Sequence, residues 1–474
     1  MNYVKTSGSY RRRSKRSRGL RRRFAAIALL VAAVGFAAWG IARVHAPAAA
    51  QPANVVRPPA RTPVADAFDI APQPLPPAPA WSATEVSRLR SSLHDAFAPA
   101  TAGAQRWSLV VLSADGRPIF GDGADRAVVP ASTAKLVVAA STLDAFGGNF
   151  RYHTVLAAQG DVSSGGTLDG NLWLAGSGDP SLRADDLRAG VATLERSGLR
   201  RVSGSAAVDP SAMHGPELNP HWDPDDAGED YAAPTNALSI DGDTIESHKS
   251  VGGVDERFWS PIHDVPHYAS ATLQRMLRQY GIATGAPPLV GTSPLDTIVL
   301  WDHRSPPLRD LEAHMLYFSD NHYAEQLLRT LGGESGGRAD DAAGLSAERR
   351  FLSEHGIPDP GLRLADGSGL SGEDRIAAVT LARILADAQL RGGAASLYRL
   401  LPQGGKEGTL ADYDFTQALG RVRAKSGHIS GVSALAGYVN TLHHGRAVFA
   451  FLVNGSPGNP DSAIVRAVDR LAEF

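Results

Sequence analysis

Three short polar stretches, Ser132-Thr133-Ala134-Lys135, Ser319-Asp320-Asn321 and Lys425-Ser426-Gly427, lie far apart in a chain of 474 residues. More than 180 residues separate the first from the second, and more than 100 the second from the third. If they act together, the fold must return twice to one place. A serine and a lysine three residues apart share one helix face. Ser132 then offers a hydroxyl nucleophile and Lys135 an amine to take its proton. An ammonium accepts no proton, so Lys135 needs a lowered pKa, from desolvation or from a second cation; Lys425 is the candidate cation. Ser319 carries a hydroxyl suited to proton relay, and Asn321 an amide suited to holding Lys135 or a substrate backbone. Asp320 is expected to point away and hold the turn. Lys425 and Ser426 suit the anionic end of a ligand, and Gly427 lets that ligand approach a strand closely. The backbone N–H groups of Ser132 and His428 are candidate oxyanion donors. Taken singly these patterns are common, as a helix surface, a polar cap or a turn. Their order and context together point to serine acyl transfer.

The N-terminus reads differently. Residues 1–23 contain ten bases and no acid, and Phe24 to Ala42 is an uncharged run of nineteen residues. That matches the roughly 20 residues that cross a bilayer as a helix, so residues 24–43 are expected to be an inner-membrane anchor with residues 1–23 cytoplasmic and the remainder outside. A cleaved signal peptide is the rival, with Val44-His45-Ala46 as the cleavage region. From Pro47 to Pro79 ten prolines make an extended spacer, assigned to residues 44–82. The basic run is a topology signal, and the rest of the chain is acidic, so nucleic acid is not an expected partner. With no cysteine there is no disulfide and no thiol nucleophile.

The folded part, nearly 400 residues, exceeds one usual core. Glu85 to Phe97 has a helical apolar rhythm. Trp107 to Leu112 and Pro118 to Phe120 read as strands about the turn Asp115-Gly116. Val432 to Val439 and Ala447 to Val453 read as a second strand pair. A terminal helix over Ser462 to Phe474 is expected to be capped by Asp461. These imply an α+β catalytic domain, an antiparallel sheet flanked by helices from both chain ends, over residues 83–153 and 294–474. Residues 154–293, with short strands at Asn171–Leu174 and Ser203–Val208, are expected to form an inserted, mostly β accessory region.

Fifteen histidines are mostly scattered, and no H-E-x-x-H occurs. His214, His221, His263 and His267 fall in an irregular acidic stretch where a metal is conceivable, but solvated or locally bonded histidines are the simpler reading. No metal or cofactor is expected. No G-x-S-x-G elbow surrounds any serine.

The ordered triplets resemble the acyl-transfer machinery of penicillin-binding proteins and serine β-lactamases. The likeness extends to PASTAKLVVAASTLDAFGGNF (Pro130–Phe150), LWLAGSGDPSL (Leu172–Leu182), Ser305-Pro306-Pro307-Leu308 with FSDNHYAE, Asp366-Gly367-Ser368-Gly369-Leu370-Ser371, Leu401-Pro402 with Gly404, Gly408-Thr409-Leu410, and RAKSGHISGVSALAGYV. On these the chain resembles peptidase family S13, the D-alanyl-D-alanine carboxypeptidases also called low-molecular-mass class C penicillin-binding proteins. The resemblance implies that Ser132 is acylated, Lys135 is the general base, Ser319 and Asn321 line the site, and Lys425 and Ser426 bind the terminal D-alanine carboxylate. It also implies that Asp209 meets the free amine end of the peptide's side chain. Ser426 and His428 depart from it, since threonine is usual at both positions.

The implied activity is removal of D-alanine from peptidoglycan stem peptides through an acyl-enzyme on Ser132, with DD-endopeptidase action and covalent capture of β-lactams as corollaries. A serine β-lactamase is the first alternative and an inactive cell-wall-binding protein the second. The expected location is the periplasm, tethered to the inner membrane.

Overall fold

The computed structural model describes residues 78–251, 254–334, 337–391 and 395–474. The central sheet has the order β15-β16-β17-β1-β2. It comprises β1 (Arg106–Leu112), β2 (Pro118–Asp122), β15 (Val422–Ile429), β16 (Val432–Asn440) and β17 (Arg446–Asn454), and every neighbouring pair is antiparallel. The strands β16 and β17 read as near-continuous apolar runs because helices cover both faces. On one face α1 (Ala83–Thr101) and the terminal α9 (Pro460–Ala472) place Leu89, Leu93, Phe97, Ile464 and Val468 against Leu109, Leu435, Phe449 and Phe451. Burying each such side chain stabilises by about 1.5–3 kcal/mol before entropy is counted. On the other face lies α8 (Ala378–Arg391), where Tyr438 donates to the Leu385 carbonyl at 2.8 Å.

Local chemistry sets the helix starts. Ser82 caps α1 through a reciprocal box with Glu85. The terminal helix differs from the sequence reading. Asn459, not Asp461, caps it by accepting from Ser462 N at 3.2 Å. Asp461 turns instead to His428.

A second sheet, of order β12-β8-β6-β4-β13, is mixed. Its strands are β4 (His153–Gln159), β6 (Asn171–Gly176), β8 (Ala206–Asp209), β12 (Leu289–Val290) and β13 (Ile298–Arg304). The helices α3 (Ala184–Arg196) and α4 (Val265–Gln279) bury Leu187, Val191, Leu273 and Leu277 in its core. Beside it, β5 (Thr167–Leu168), β7 (Arg201–Val202) and β11 (Ala283–Thr284) form a parallel triplet. The strands β9 (Thr244–Val251) and β10 (Val254–Pro261) pair as a hairpin. Although the sequence reading put residues beyond 293 on the catalytic side, β13 pairs with β4 here. A two-residue pairing of β3 (Ala127–Val128) with β14 (Ile376–Ala377) brackets the start of the first motif.

Further helices are α2 (Lys135–Phe146), α5 (Leu308–Phe318), α6 (Asn321–Gly333) and α7 (Asp341–Glu354), and a short helix spans Ala395–Leu400. Among the described residues no helix is long and apolar enough to cross a membrane. The longest, α1, presents one apolar face to the sheet and carries charged residues on the others. The expected transmembrane helix, and with it the inner membrane as partner and the anchored location, is corrected accordingly. Residues 24–43, on which that expectation rested, lie outside the described residues, as do the basic tail and most of the spacer.

Candidate active site

The first motif begins in a tight turn. Pro130 leads into Ala131, whose φ of 47° is the left-handed region that costs energy for a residue with a Cβ. Thr133 Oγ1 donates to the Pro130 carbonyl at 2.7 Å and braces the turn. A 3-10 turn over Ala131–Ala134 then runs into α2, so Ser132 stands at the mouth and Lys135 one turn deeper. The tight first turn departs from the regular helix on which the sequence reading placed Ser132 and Lys135.

Lys135 is fully buried. Its Nζ lies 3.0 Å from Ser132 Oγ, 2.7 Å from Asn321 Oδ1 and 2.7 Å from the Ser368 carbonyl. Asn321 Nδ2 donates to the Tyr231 carbonyl at 2.9 Å, which fixes the amide with its oxygen towards the lysine. The two oxygens can only accept. A neutral amine has two protons for them and one lone pair, and that lone pair faces the Ser132 hydroxyl. Burial pushes the Lys135 pKa down to about 8, against the opposing fields of Asp366, Glu325, Asp320 and Asp374. Desolvation is therefore the main cause of the shift.

The second motif is the junction of α5 and α6. Ser319 ends α5 in the left-handed conformation, φ 59° and ψ 38°. Asp320 caps α6 by accepting from Tyr323 N at 3.3 Å and faces His314 Nε2 at 3.3 Å. That turn aims Ser319 and Asn321 at the cleft.

The third motif lies on β15, the edge strand of the central sheet. Lys425 is fully buried, and its Nζ donates to Ser319 Oγ at 2.9 Å and to the Ser426 carbonyl at 2.7 Å. Burial, and then the charge of Lys135, hold its pKa well below the ordinary lysine value. An arriving carboxylate adds an opposite charge that works against this lowering and favours the ammonium. A Cβ on Gly427 would lie 2.8 Å from the Pro130 carbonyl and 3.0 Å from the nitrogens of Ser132 and Thr133. Only glycine lets the strand lie this close to the nucleophile turn. Ser426 Oγ is 2.8 Å from Thr409 Oγ1. His428 Nε2 is 2.8 Å from Asp461 Oδ1 and 3.4 Å from the Tyr413 hydroxyl.

The structure thus brings Ser132, Lys135 and Asn321 into one hydrogen-bonded group and Ser319 and Lys425 into a second beside it, with Ser426, Gly427 and His428 along the strand that carries Lys425. Asp209 is bonded to neither group. Its carboxylate, at the end of β8, accepts from Ser211 N at 2.9 Å, Ser293 N at 2.8 Å and Ser293 Oγ at 2.6 Å. Among the described residues no group of histidines and acids could hold a metal. His221 faces Glu373, and His267 binds Asp264 at the start of α4.

Several participants escaped the sequence reading. The Ser368 carbonyl carries no side-chain signature, although its segment Asp366–Ser371 was already conspicuous. That loop is pinned by two buried carboxyls. Glu325 accepts from Ser368 N at 2.8 Å and Gly367 N at 3.2 Å. Asp366 accepts from Trp222 Nε1 at 2.8 Å, Gly369 N at 2.7 Å and Ser371 N at 2.8 Å. Burial, with Asp366 and Asp341 nearby, pushes the Glu325 pKa up to about 8. Glu325 stands one helical turn after Asn321, the one available sequence signal. Thr409 lay in the noted stretch Gly408-Thr409-Leu410 without a role of its own, Asp461 was read only as a cap, and Tyr231 gave no signal.

An amine placed to unload a serine hydroxyl, with a second amine beside it on the edge of an antiparallel sheet, defines the class of serine-acylating, penicillin-binding hydrolases. The D-Ala-D-Ala carboxypeptidase 3 (S13) family matches residues 89–256 and 253–473, and the chain belongs to that family. It is a serine-type DD-peptidase of the peptidoglycan. A D-alanyl-D-alanine carboxypeptidase of Actinomadura sp. is 29% identical over 446 residues, spanning 79% of this chain and 82% of the relative. The D-alanyl-D-alanine carboxypeptidase DacB of Haemophilus influenzae is 26% identical over 400 residues, spanning 72% and 83%. Penicillin binding protein 4 from Haemophilus influenzae shares the fold with a TM-score of 0.75 and 22% identity, over 81% of this chain and 99% of that one.

Proposed function

We propose that Ser132 attacks the carbonyl of the penultimate D-alanine of a stem peptide while Lys135 accepts its proton. The observation that carries this is the Lys135 amine, buried and held by two fixed acceptors with its third position on Ser132. The backbone N–H groups of Ser132 and His428 receive the developing oxyanion, where one donor contributes about 3 kcal/mol to the transition state. Lys425 spends two protons on Ser319 and the Ser426 carbonyl and keeps a third for the substrate's carboxylate. Ser319 accepts from Lys425, so its own proton is free for the departing amine. The C–N bond breaks and D-alanine leaves with that proton, which is replaced by the one Lys135 took from Ser132, so the Lys135 amine is neutral again. Water then attacks the ester and gives its proton to Lys135, and the ester C–O bond breaks as Lys135 returns that proton to Ser132 Oγ. A D-centred cross-link as leaving group makes the same chemistry an endopeptidase reaction. Asp209 would meet the amine end of the peptide's side chain with the acceptor capacity that Ser211 and Ser293 leave unused.

Incubation of the protein with a pentapeptide stem and with cross-linked dimers, read by product masses, tests this. D-alanine release is expected with the first and dimer cleavage with the second. A stable penicilloyl adduct on Ser132 is expected alongside. Rapid penicillin turnover with neither peptide cleaved would instead identify a β-lactamase.

A further inference from the structure

Both oxyanion donors in the proposed chemistry are backbone N–H groups, so their aim depends on what holds the backbone. Ser132 sits in a turn braced by the Thr133 bond to the Pro130 carbonyl. His428 is placed differently. It lies near the end of β15, which pairs with β16 on one side and has a free edge on the other. Along such a strand the N–H groups alternate between the partner and the free edge, so a donor aimed at the cleft has no ladder bond to fix it. Side chains alternate between the two faces. Gly427 faces the nucleophile turn, where a Cβ would lie 3.0 Å from Ser132 N. His428 therefore projects on the opposite face, the one on which Leu435, paired with Ser426, meets α9.

On that face the imidazole finds a carboxylate from another element. His428 Nε2 is 2.8 Å from Asp461 Oδ1 and 3.4 Å from the Tyr413 hydroxyl. Asp461 stands in the first turn of α9, but Asn459 supplies the cap, which leaves the Asp461 carboxylate to reach the sheet. The helix N-terminus favours its ionised form. Burial works to raise its pKa, and its bonds with His428 and Ser433 outweigh that and lower it. Ser433 is the residue directly opposite His428 on β16. One carboxylate thus joins the helix to both strands beside the oxyanion donor. We propose that Asp461 is a positioning residue for the oxyanion hole: by holding the His428 ring against α9, it sets the spacing of the His428 and Ser132 N–H groups. This rests on the acyl-transfer reading and goes beyond it in the role given to Asp461. The side chains of His428 and Asp461 are 43% and 45% exposed, and such a pair contributes little to global stability. Its effect is expected on rate, where a small misplacement of a donor is costly.

The rate of penicillin acylation of Ser132, together with the infrared band of the isotope-labelled ester carbonyl in the adduct, tests this. A carbonyl gripped by two donors absorbs at lower frequency than one held loosely. Asp461→Ala is expected to slow acylation about tenfold and to move the band to higher frequency. Asp461→Asn keeps an acceptor oxygen and should retain most of the rate. His428→Ala keeps the backbone donor but loses the ring, and should reproduce the Asp461→Ala loss. The double substitution should be no slower than either alone, because both remove the same tie. Unchanged acylation by Asp461→Ala, a loss with the ester band unmoved, or losses that multiply in the double variant would each overturn the proposal. The unsubstituted protein reports on the underlying reading by itself: if it forms no adduct on Ser132, the acyl-transfer reading fails and the role of Asp461 fails with it.

Discussion

The central sheet and the second sheet both bury charged side chains, but they use them differently. In the second sheet Asp179 accepts from Ser181 two residues on and Asp243 from Ile240 three residues back, while Asp209 accepts both from Ser211 two residues on and from Ser293 across 84. These carboxylates mostly hold their own turns. Around the central sheet Lys135 reaches Asn321 and Ser368, separated from it by 186 and 233 residues, and Lys425 reaches Ser319 across 106. A buried charge satisfied locally supports a loop. A buried amine that also needs partners from remote segments marks where the fold was obliged to converge, and chemistry is found there.

That contrast orders the expected effects of substitution. Ser132→Ala should abolish peptide turnover, a loss of at least about 10⁴-fold, with an unchanged melting temperature. Lys135→Met should lower the acylation rate by about 10²–10⁴-fold, measured by penicillin adduct formation. Glu325→Ala strands the N–H groups of Gly367 and Ser368 and releases the carbonyl that orients Lys135. It should lower kcat about 10–100-fold and also lower stability. Thr409→Val removes the hydroxyl that accepts from Ser426 Oγ and fixes that side chain beside the carboxylate site. KM should rise severalfold with kcat nearly unchanged, and Thr409→Ser should restore it. Asp209→Asn, in the second sheet, should leave penicillin acylation within about twofold, because Asp209 is bonded to none of the catalytic side chains.

The same contrast explains what the sequence revealed. Ser132, Lys135, Ser319, Asn321 and Lys425 were legible because their side-chain types state their chemistry. The Ser368 carbonyl was not, since any residue offers a backbone oxygen. Glu325 reads as an ordinary helix acid until its burial beneath the Asp366–Ser371 loop is known. The pairing of β16 with β17 followed from their long apolar runs. The membership of β13 did not, because its half-exposed pattern, with Ile298 and Val299 in solvent, belongs equally to either sheet. Asp461 was read as a cap because it begins a helix, yet Asn459 had that place and left Asp461 for His428.

The central claim is that Lys135 is neutral often enough to unload Ser132, since burial lowers its pKa to about 8. A lowered lysine pKa means that the amine becomes competent as pH rises through that value. The direct measurement is the rate constant for penicillin acylation of Ser132 from pH 6 to 10. The rate should climb about tenfold per pH unit below about 8 and level off above it. A rate that is flat or falls across that range would contradict the assignment of Lys135 as the base.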